Sequence, residues 1–139
     1  MTSVFADASY WIAIFSKNDK WNSAAVTARR QLDETTLVTT DEVLTEFLSA
    51  MSKSGDVIRR EAAGVVRDIL HDPGVRVVHQ THESFLDGLG RYESRLDKEY
   101  SLQDCISMNV MDATGINEIL TSDHHFEQEG FTILMDSTT

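Results

Sequence analysis

The amino-acid sequence predicts an α/β fold in which helices cover both faces of a mainly parallel sheet of about four to five strands. Short runs rich in Val, Ile, Leu and Thr alternate along the whole chain with segments of helical apolar spacing. A length of 139 residues and a hydrophobic fraction of 41% suit one globular unit with a real core. No internal repeat, low-complexity tract or linker interrupts the sequence, so we expect residues 1–139 to form a single domain.

The first part of the chain predicts a strand, two helices, a second strand and a third helix. Residues 4–6 are a short apolar run typical of a buried strand, and residues 10–15 predict an apolar helix. Apolar residues within 21–32 have helical spacing, and the β-branched run at 36–39 predicts the second strand. The third helix begins at residue 40 or 41, where a hydroxyl or an acid can cap it. Its apolar stripe consists of Leu44, Phe47, Leu48 and Met51.

The second part of the chain continues the alternation of helices and strands. A helix at 57–70 stops at the turn formed by residues 72–74, which contains the only proline. Residues 75–79 form the clearest strand after the first, and Thr81 caps a helix that runs to about residue 96, although its two glycines weaken it. The remaining predicted elements are a helix at 101–114, short strands at 119–121 and 132–134, and a loop or single turn at 122–130.

The formal charge of −11 limits the kinds of partner that the protein can attract. Twelve basic residues against 23 acidic ones argue against general electrostatic attraction to DNA or RNA. A nucleic-acid enzyme could tolerate this balance if metal ions neutralise a cluster of carboxylates at its site. An acidic surface could also meet a basic partner or serve solubility alone, so the charge leaves the function open.

Cysteine content and hydropathy predict a cytoplasmic protein. Cys105 is the only cysteine, so no disulfide can form within the chain, which fits a reducing compartment. The longest uninterrupted apolar run, residues 11–15, is far too short to cross a bilayer. No basic segment precedes a leader-like apolar run, so we expect neither a secretory signal nor membrane association.

Asp7 stands between the first predicted strand and the helix that follows it. The carboxyl end of a strand in an open α/β sheet is where ligands bind. Asp7 can equally be a helix cap, with Ser9 helping, and its position alone favours the cap. A functional interpretation of Asp7 therefore needs other acids at the same edge of the sheet.

Three further acids stand where such a sheet could bring them to Asp7. Glu46 lies in the second turn of the third helix, Asp104 in the first turn of the helix at 101–114, and Asp123 after the strand at 119–121. Each has a structural explanation as well. Asp104 fits a capping box with Ser101, Asp123 can be a turn residue, and Glu46 lies opposite an apolar stripe, on a face that is usually solvated.

Two details favour a shared acidic site over these separate explanations. Glu42 and Glu46 are four residues apart on one helical face, a like-charge pair that costs a few tenths of a kcal/mol unless a cation answers it. Asp104 shares its helical side with Met108 and Met111, so we expect it to be partly covered. A partly covered carboxylate requires a cation or several hydrogen-bond donors.

Four short motifs in the chain resemble the ordered signature of the PIN-domain family. These are DASYW around Asp7, TDEVLTEFLSAM around Glu46, YSLQDCIS around Asp104 and LTSDHHF around Asp123. They are similar in particular to the small VapC-type ribonuclease toxins of toxin–antitoxin pairs, over essentially the whole chain. The resemblance implies an α/β/α sandwich around a parallel sheet and a metal-dependent endoribonuclease that cleaves RNA through a metal-activated water.

The resemblance also assigns roles to individual residues. Asp7, Glu46, Asp104 and Asp123 match the family's metal-binding, catalytic carboxylates. Ser9 matches a small hydroxyl residue that often follows the first acid by two, and either Thr121 or Ser122 matches a hydroxyl residue before the last acid. Glu42 lies outside the family's core pattern and is assigned a supporting role. His124 and His125 stand where the family is variable and are interpreted as ordinary loop residues.

The implied cofactor is Mg²⁺ or Mn²⁺, because these hard ions favour carboxylate oxygens and no Cys/His cluster suggests zinc. The implied partners are an RNA substrate and a cognate antitoxin that inserts a basic residue among the carboxylates. A homodimer through helices near the first half of the chain is also implied. Tyr10, Trp11 and Trp21 could serve that interface, and core packing explains them equally well.

Two other functions compete with a nuclease. A phosphotransfer enzyme with an aspartyl nucleophile at Asp7 also begins with a strand ending in Asp, but a haloacid-dehalogenase-like pattern wants an acid where this chain has Ser9. A catalytically weak PIN-like scaffold that binds RNA or protein is the stronger alternative. Loss of one or more of the four acids would mark such a scaffold, and all four are present.

Overall fold

The computed structural model describes residues 2–136 and contains a five-stranded sheet in which all neighbouring strands are parallel. Helices pack on both faces, so the architecture is the predicted α/β/α sandwich. The strands in chain order are β1 (Thr2–Ala6), β2 (Thr35–Thr40), β3 (Val75–Val78), β4 (Glu118–Leu120) and β5 (Thr132–Ile133). Their spatial order is β3-β2-β1-β4-β5.

Helices connect the strands at nearly the predicted positions. They are α1 (Ala8–Phe15), α2 (Asn22–Arg30), α3 (Asp41–Met51), α4 (Asp56–His71), α5 (His82–Ser94), α6 (Leu102–Thr114) and α7 (His125–Gln128). The short α7 is the single turn expected between the last two strands. Among residues 2–136, no helix is both long enough and apolar enough to span a bilayer.

Strand β1 lies at the centre of the sheet and at its topological switch point. It pairs with β2 on one side, for example Phe5 with Val38, and with β4 on the other, for example Ala6 with Leu120. The chain builds outward from β1 to β2 and β3, then crosses back to add β4 and β5. The carboxyl ends of β1 and β4 therefore diverge around a crevice, the usual ligand position in an open α/β sheet.

The aromatic residues at the start of α1 belong to the core of the protein. Tyr10 and Trp11 are buried, and the Trp11 indole Nε1 donates a hydrogen bond to Thr39 Oγ1 at 3.3 Å. Thr39 Oγ1 in turn donates to the carbonyl oxygen of Ala6 at 2.8 Å. Of the two interpretations left open for Tyr10 and Trp11, core packing is therefore the one observed, while Trp21 is only half-buried against the core.

Helix α5 is continuous through both of its glycines, Gly88 and Gly90, as the prediction of one helix to about residue 96 requires. Gly88 faces α6, and a Cβ atom added there would lie 2.5 Å from Cγ1 of Ile106. A side chain at position 88 would therefore collide with the neighbouring helix. Gly90 has no atom within 4 Å of the corresponding position, so packing does not require a glycine there.

Candidate active site

Asp7 ends β1 with its side chain buried at the switch point of the sheet. Its backbone N–H donates to the carbonyl oxygen of Leu120 on β4 at 3.1 Å, which fixes the position of Asp7 between the two strands. Asp7 occupies the N-cap position of α1, but its side chain makes no capping hydrogen bond. Its carboxylate Oδ2 instead accepts a hydrogen bond from Thr121 Oγ1 at 2.8 Å. The cap interpretation of Asp7 is therefore wrong for its side chain.

The Asp7 carboxyl is destabilised in its charged form. Burial, with only 6% of the residue exposed, raises its pKa from 3.8 to about 7. Hydrogen bonds from Thr121 and from the backbone of Ala8 act in the opposite direction, and the negative charges of Glu46 and Asp104 raise the pKa further. The effect of Glu46 and Asp104 on this pKa places acids from α3 and α6 within electrostatic range of Asp7.

A network of hydroxyl groups supports Asp7 from the loop after β4. Thr121 is fully buried, and its Oγ1 lies 3.1 Å from Ser9 Oγ and accepts a hydrogen bond from the backbone N–H of Asp123 at 3.1 Å. Ser9 Oγ accepts from the backbone N–H of Ser122 at 3.0 Å. Thr121, rather than Ser122, therefore contacts Asp7 with its side chain, and Ser122 contributes its backbone.

Asp104 is both a helix cap and a member of the acidic cluster. Its backbone N–H donates to Ser101 Oγ at 3.0 Å, and its Oδ2 accepts from the backbone N–H of Ser101 at 3.2 Å, which is the predicted capping box. Its side chain is only 14% exposed, as expected from its helical side. Burial raises the pKa of Asp104, the Ser101 hydrogen bonds lower it, and the charge of Asp123 raises it again.

Asp123 and His125 meet Asp104 at the start of the short helix α7. Asp123 Oδ1 accepts a hydrogen bond from the backbone N–H of His125 at 2.9 Å, which folds the chain back after β4. The His125 Nδ1 atom then lies 3.2 Å from Asp123 Oδ1 and 3.8 Å from Asp104 Oδ2. One ligand atom from each of these three residues lies within 4.8 Å of the others.

The interpretation of the histidine pair as ordinary loop residues fails to anticipate the location of His125. His124 fits that interpretation, since its ring is 75% exposed and contacts only the side chain of Glu127, at 3.4 Å. His125 differs because the turn after β4 points its ring back towards the acids. The sequence shows that His125 follows Asp123 by two residues. Only the fold shows that the His125 ring points towards the acids.

Glu46 reaches the cluster from α3. The residue is exposed overall, as the helical stripe predicts, but burial of its carboxyl end raises its pKa. A hydrogen bond from Gln103 lowers the pKa, and the charges of Asp104 and Asp123 raise it. Gln103, next to Asp104 on α6, was not singled out from the sequence, because nothing local distinguishes it.

Glu42 lies one helical turn before Glu46, and no contact among residues 2–136 joins it to the four acids. One of its carboxylate oxygens, Oε2, is buried and has no hydrogen-bond partner in the described chain. The supporting role predicted for Glu42 therefore stays a prediction.

The cluster is suited to a hard divalent cation. Carboxylate oxygens from Asp7, Glu46, Asp104 and Asp123 are the ligands that Mg²⁺ and Mn²⁺ prefer. The charged forms of the first three are disfavoured by burial and by mutual repulsion, which a cation would relieve. The His125 Nδ1 atom is buried without a hydrogen-bond partner among residues 2–136 and faces the same space.

Comparisons with known proteins agree with this fold. The structure is similar to that of VapC20, a sarcin–ricin loop cleaving toxin from Mycobacterium tuberculosis, with 25% sequence identity and a TM-score of 0.82 over 93% of this chain and 96% of that chain. It also resembles VapBC2 from Rickettsia felis, solved bound to a DNA fragment from its promoter. There the identity is 13% and the TM-score 0.63, over 96% of this chain and 97% of that chain, which shows the fold alone.

A comparison with curated protein sequences finds no match. The family model of the PIN domain matches residues 4–131, which is most of the chain and includes all four acids of the cluster. This protein therefore belongs to the PIN domain family.

Proposed function

We propose that this protein is a Mg²⁺- or Mn²⁺-dependent endoribonuclease and the toxin of a toxin–antitoxin pair. The observation that carries the proposal is the close group of Asp104 and Asp123 with His125 after β4. Asp7 and Glu46 lie within electrostatic range of this group, since burial and the negative charge of Asp104 raise the pKa of each. The family membership and the likeness to a toxin that cleaves the sarcin–ricin loop support it.

The four carboxylates would bind the metal ion, and neighbouring groups would orient them. Asp7 is held by Thr121, Asp104 by Ser101, Asp123 by the backbone of His125, and Glu46 by Gln103. The hydrogen bonds to Asp7, Asp104 and Asp123 orient these carboxylates before any ligand arrives, which lowers the cost of forming the site. A bound divalent ion supplies Lewis-acid chemistry that activates water and offsets charge on the phosphodiester. Hydrolysis by water would leave no covalent intermediate on the enzyme.

The charge of the chain fits a site that depends on a cation for its substrate. With a net charge of −11, the protein offers RNA little general attraction, so neutralisation of the acidic cluster would be required before a phosphate could approach. The same cluster would suit an antitoxin that inserts a basic side chain among the carboxylates. A homodimer through helices in the first half of the chain is part of the proposal.

The acidic charge also favours a second candidate, a catalytically weak PIN-like scaffold that binds RNA or protein. Titration of thermal stability with Mn²⁺ or Mg²⁺ separates the two. A nuclease site should bind the ion in the native state only, which adds about 2.7 kcal/mol to the free energy of unfolding at an ion concentration about 100 times Kd. Asp104→Asn should abolish the gain, whereas Asp97→Asn should keep it, because the Asp97 side chain is 77% exposed, forms an ion pair with Lys98 and is not one of the four acids. Absence of any stabilisation at millimolar metal would favour the scaffold.

A further inference from the structure

The Nδ1 atom of His125 is the unusual polar group of the site. It is buried, and it has no hydrogen-bond partner among residues 2–136. Two carboxylate oxygens lie near it, Asp123 Oδ1 at 3.2 Å and Asp104 Oδ2 at 3.8 Å, and neither meets the geometry of a hydrogen bond. A buried polar atom without a partner is costly, so its retention needs a reason.

The surroundings of His125 hold its ring in this orientation. The ring of Tyr100 packs edge-on against the imidazole with 5.6 Å between centroids. The backbone N–H of His125 is tied to Asp123, and the next residue, Phe126, is fully buried and anchors the turn in the core. The orientation of Nδ1 towards the carboxylates is therefore imposed by the packing of α7.

The distances around Nδ1 are compatible with shared coordination of one ion. In an octahedral site with metal–ligand distances of about 2.1 Å, neighbouring donor atoms lie about 3 Å apart and opposite ones about 4.2 Å apart. The separations of Nδ1 from Asp123 and Asp104, 3.2 and 3.8 Å, fall within that range. One ligand atom from each of the three residues lies within 4.8 Å of the others, a spacing that one shared ion could bridge.

We propose that His125 supplies a nitrogen ligand, through Nδ1, to the divalent ion held by Asp104 and Asp123, and that this ligand makes the site select Mn²⁺ over Mg²⁺. The inference rests on the proposed metal-dependent function and specifies its cofactor. Mg²⁺ favours oxygen donors almost exclusively, whereas imidazole nitrogen is a better ligand for transition metals. A site built from carboxylates alone would lack this discrimination.

The direct test is electron spin-echo envelope modulation of the protein loaded with Mn²⁺, which detects nitrogen bonded to the ion. The wild-type protein and His124→Gln should both show nitrogen modulation, because the His124 side chain is 75% exposed and pairs with Glu127. His125→Gln should lose it. Thermal unfolding of the metal-free variants checks that both keep the fold. Persistence of the modulation in His125→Gln, or its absence from the wild type, would overturn the proposal.

A second variant tests the selectivity. His125→Asp replaces the nitrogen donor by oxygen, so the ion should still bind while the ratio of Mn²⁺ to Mg²⁺ affinity falls by about tenfold or more, since changes around a metal ligand typically alter affinity 10–100-fold. Free Mn²⁺ measured by its paramagnetic resonance signal, with Mg²⁺ as competitor, gives both affinities. A ratio equal to that of the wild type would show that His125 forms only an ion pair with the acids.

Different results would overturn the nuclease function and the role of His125. Wild-type protein that binds neither ion and cleaves no RNA would overturn the proposed nuclease function and this inference together. Wild-type protein that binds Mn²⁺ and cleaves RNA, but shows no nitrogen modulation, would overturn the role of His125 alone.

Discussion

Asp7 illustrates how one residue acquires its chemistry from its position in the fold. Its carboxylate accepts a hydrogen bond from a buried hydroxyl, has no cationic partner among residues 2–136, and feels the charges of Glu46 and Asp104. With its pKa raised to about 7, the Asp7 carboxyl is partly protonated at neutral pH. A bound metal ion would favour its ionised form. If a divalent ion binds the cluster as proposed, the buried environment would couple the protonation of Asp7 to occupancy of the site.

The raised pKa of Asp7 predicts how the stability of the metal-free protein depends on pH. Because the pKa of Asp7 is about 7 in the folded protein and 3.8 ordinarily, its contribution is fully present below pH 3.8 and is lost as pH rises to about 7. Asp7→Asn removes this loss, so the variant should gain stability relative to wild type between pH 4 and pH 8. The gain should be on the order of a few kcal/mol, since one pKa unit corresponds to about 1.4 kcal/mol. Urea unfolding in a chelating buffer at several pH values measures it. Parallel curves for the two proteins would refute the assigned pKa.

The residues of the site differ in how far the sequence could predict them. The capping box of Asp104 and the strand-end position of Asp7 follow from local patterns, and both are observed. His125 and Gln103 could not be predicted, because their roles depend on which elements the fold brings beside them. The sequence showed that a histidine follows Asp123 by two residues, but the direction of its ring depends on the packing of Tyr100 and Phe126.

At the scale of elements, α5 and α6 show how close packing determines the choice of residue. Gly88 permits an approach to Ile106 that any side chain would block, and its cost to helix propensity is the only part visible in the sequence. The two glycines of α5 look alike as a pattern, yet Gly90 has open space beside it. Only the contact with Ile106 distinguishes Gly88 from Gly90.

Alanine substitution of the two glycines provides a matched test of this packing. Gly88→Ala should lower the free energy of unfolding by about 1–3 kcal/mol, because the new methyl group forces Ile106 and α6 to shift. Gly90→Ala should raise it by up to about 1 kcal/mol through helix propensity alone. Urea denaturation of both variants gives the comparison. Equal effects of the same sign would show that α5 and α6 are less closely packed than described.

A second feature at this scale is the ion-pair network that ties α5 to the end of α7. The Glu129 carboxylate, buried at 9% exposure, accepts hydrogen bonds from Arg91 Nη2 at 2.9 Å, Arg95 Nε at 3.1 Å and Tyr100 Oη at 3.0 Å. Burial raises the pKa of Glu129, but these hydrogen bonds outweigh it and lower the pKa overall. Because Tyr100 also contacts His125, the network supports the position of the site.

Loss of the Glu129 charge should therefore destabilise the protein. Glu129→Gln leaves the half-buried guanidinium of Arg91 with a weaker partner, at a cost on the order of 3 kcal/mol. The matched control is Glu127→Gln, because the Glu127 side chain is more than half exposed and contacts only His124. Thermal unfolding at neutral pH measures both. A loss no larger in Glu129→Gln than in the control would show that the network contributes nothing measurable.

At the scale of the whole molecule, the alternation of short strands and helices was sufficient to predict the parallel sheet. The binding of a ligand at the carboxyl ends of its strands stays a prediction. The strand order β3-β2-β1-β4-β5 was not predicted, because local patterns locate strands without showing which of them pair. The sequence placed the four acids on elements that a parallel sheet could bring together. The resemblance to the PIN-domain family then implied a common role for them. Under the proposed function, the net charge of −11 would make a bound cation necessary for contact with RNA.

The central claim, that the acids at the switch point form a metal-dependent RNA-cleaving site, is tested most directly by mapping new 5′ ends in total RNA. The purified protein would be incubated with RNA in the presence of Mn²⁺ or Mg²⁺ and, separately, of a chelator. We predict discrete new ends with either metal, none with the chelator, and none with Asp7→Ala or Asp104→Ala, while Asp97→Asn cleaves like the wild type. Cleavage that survives the chelator or either alanine substitution in a clean preparation would contradict the claim.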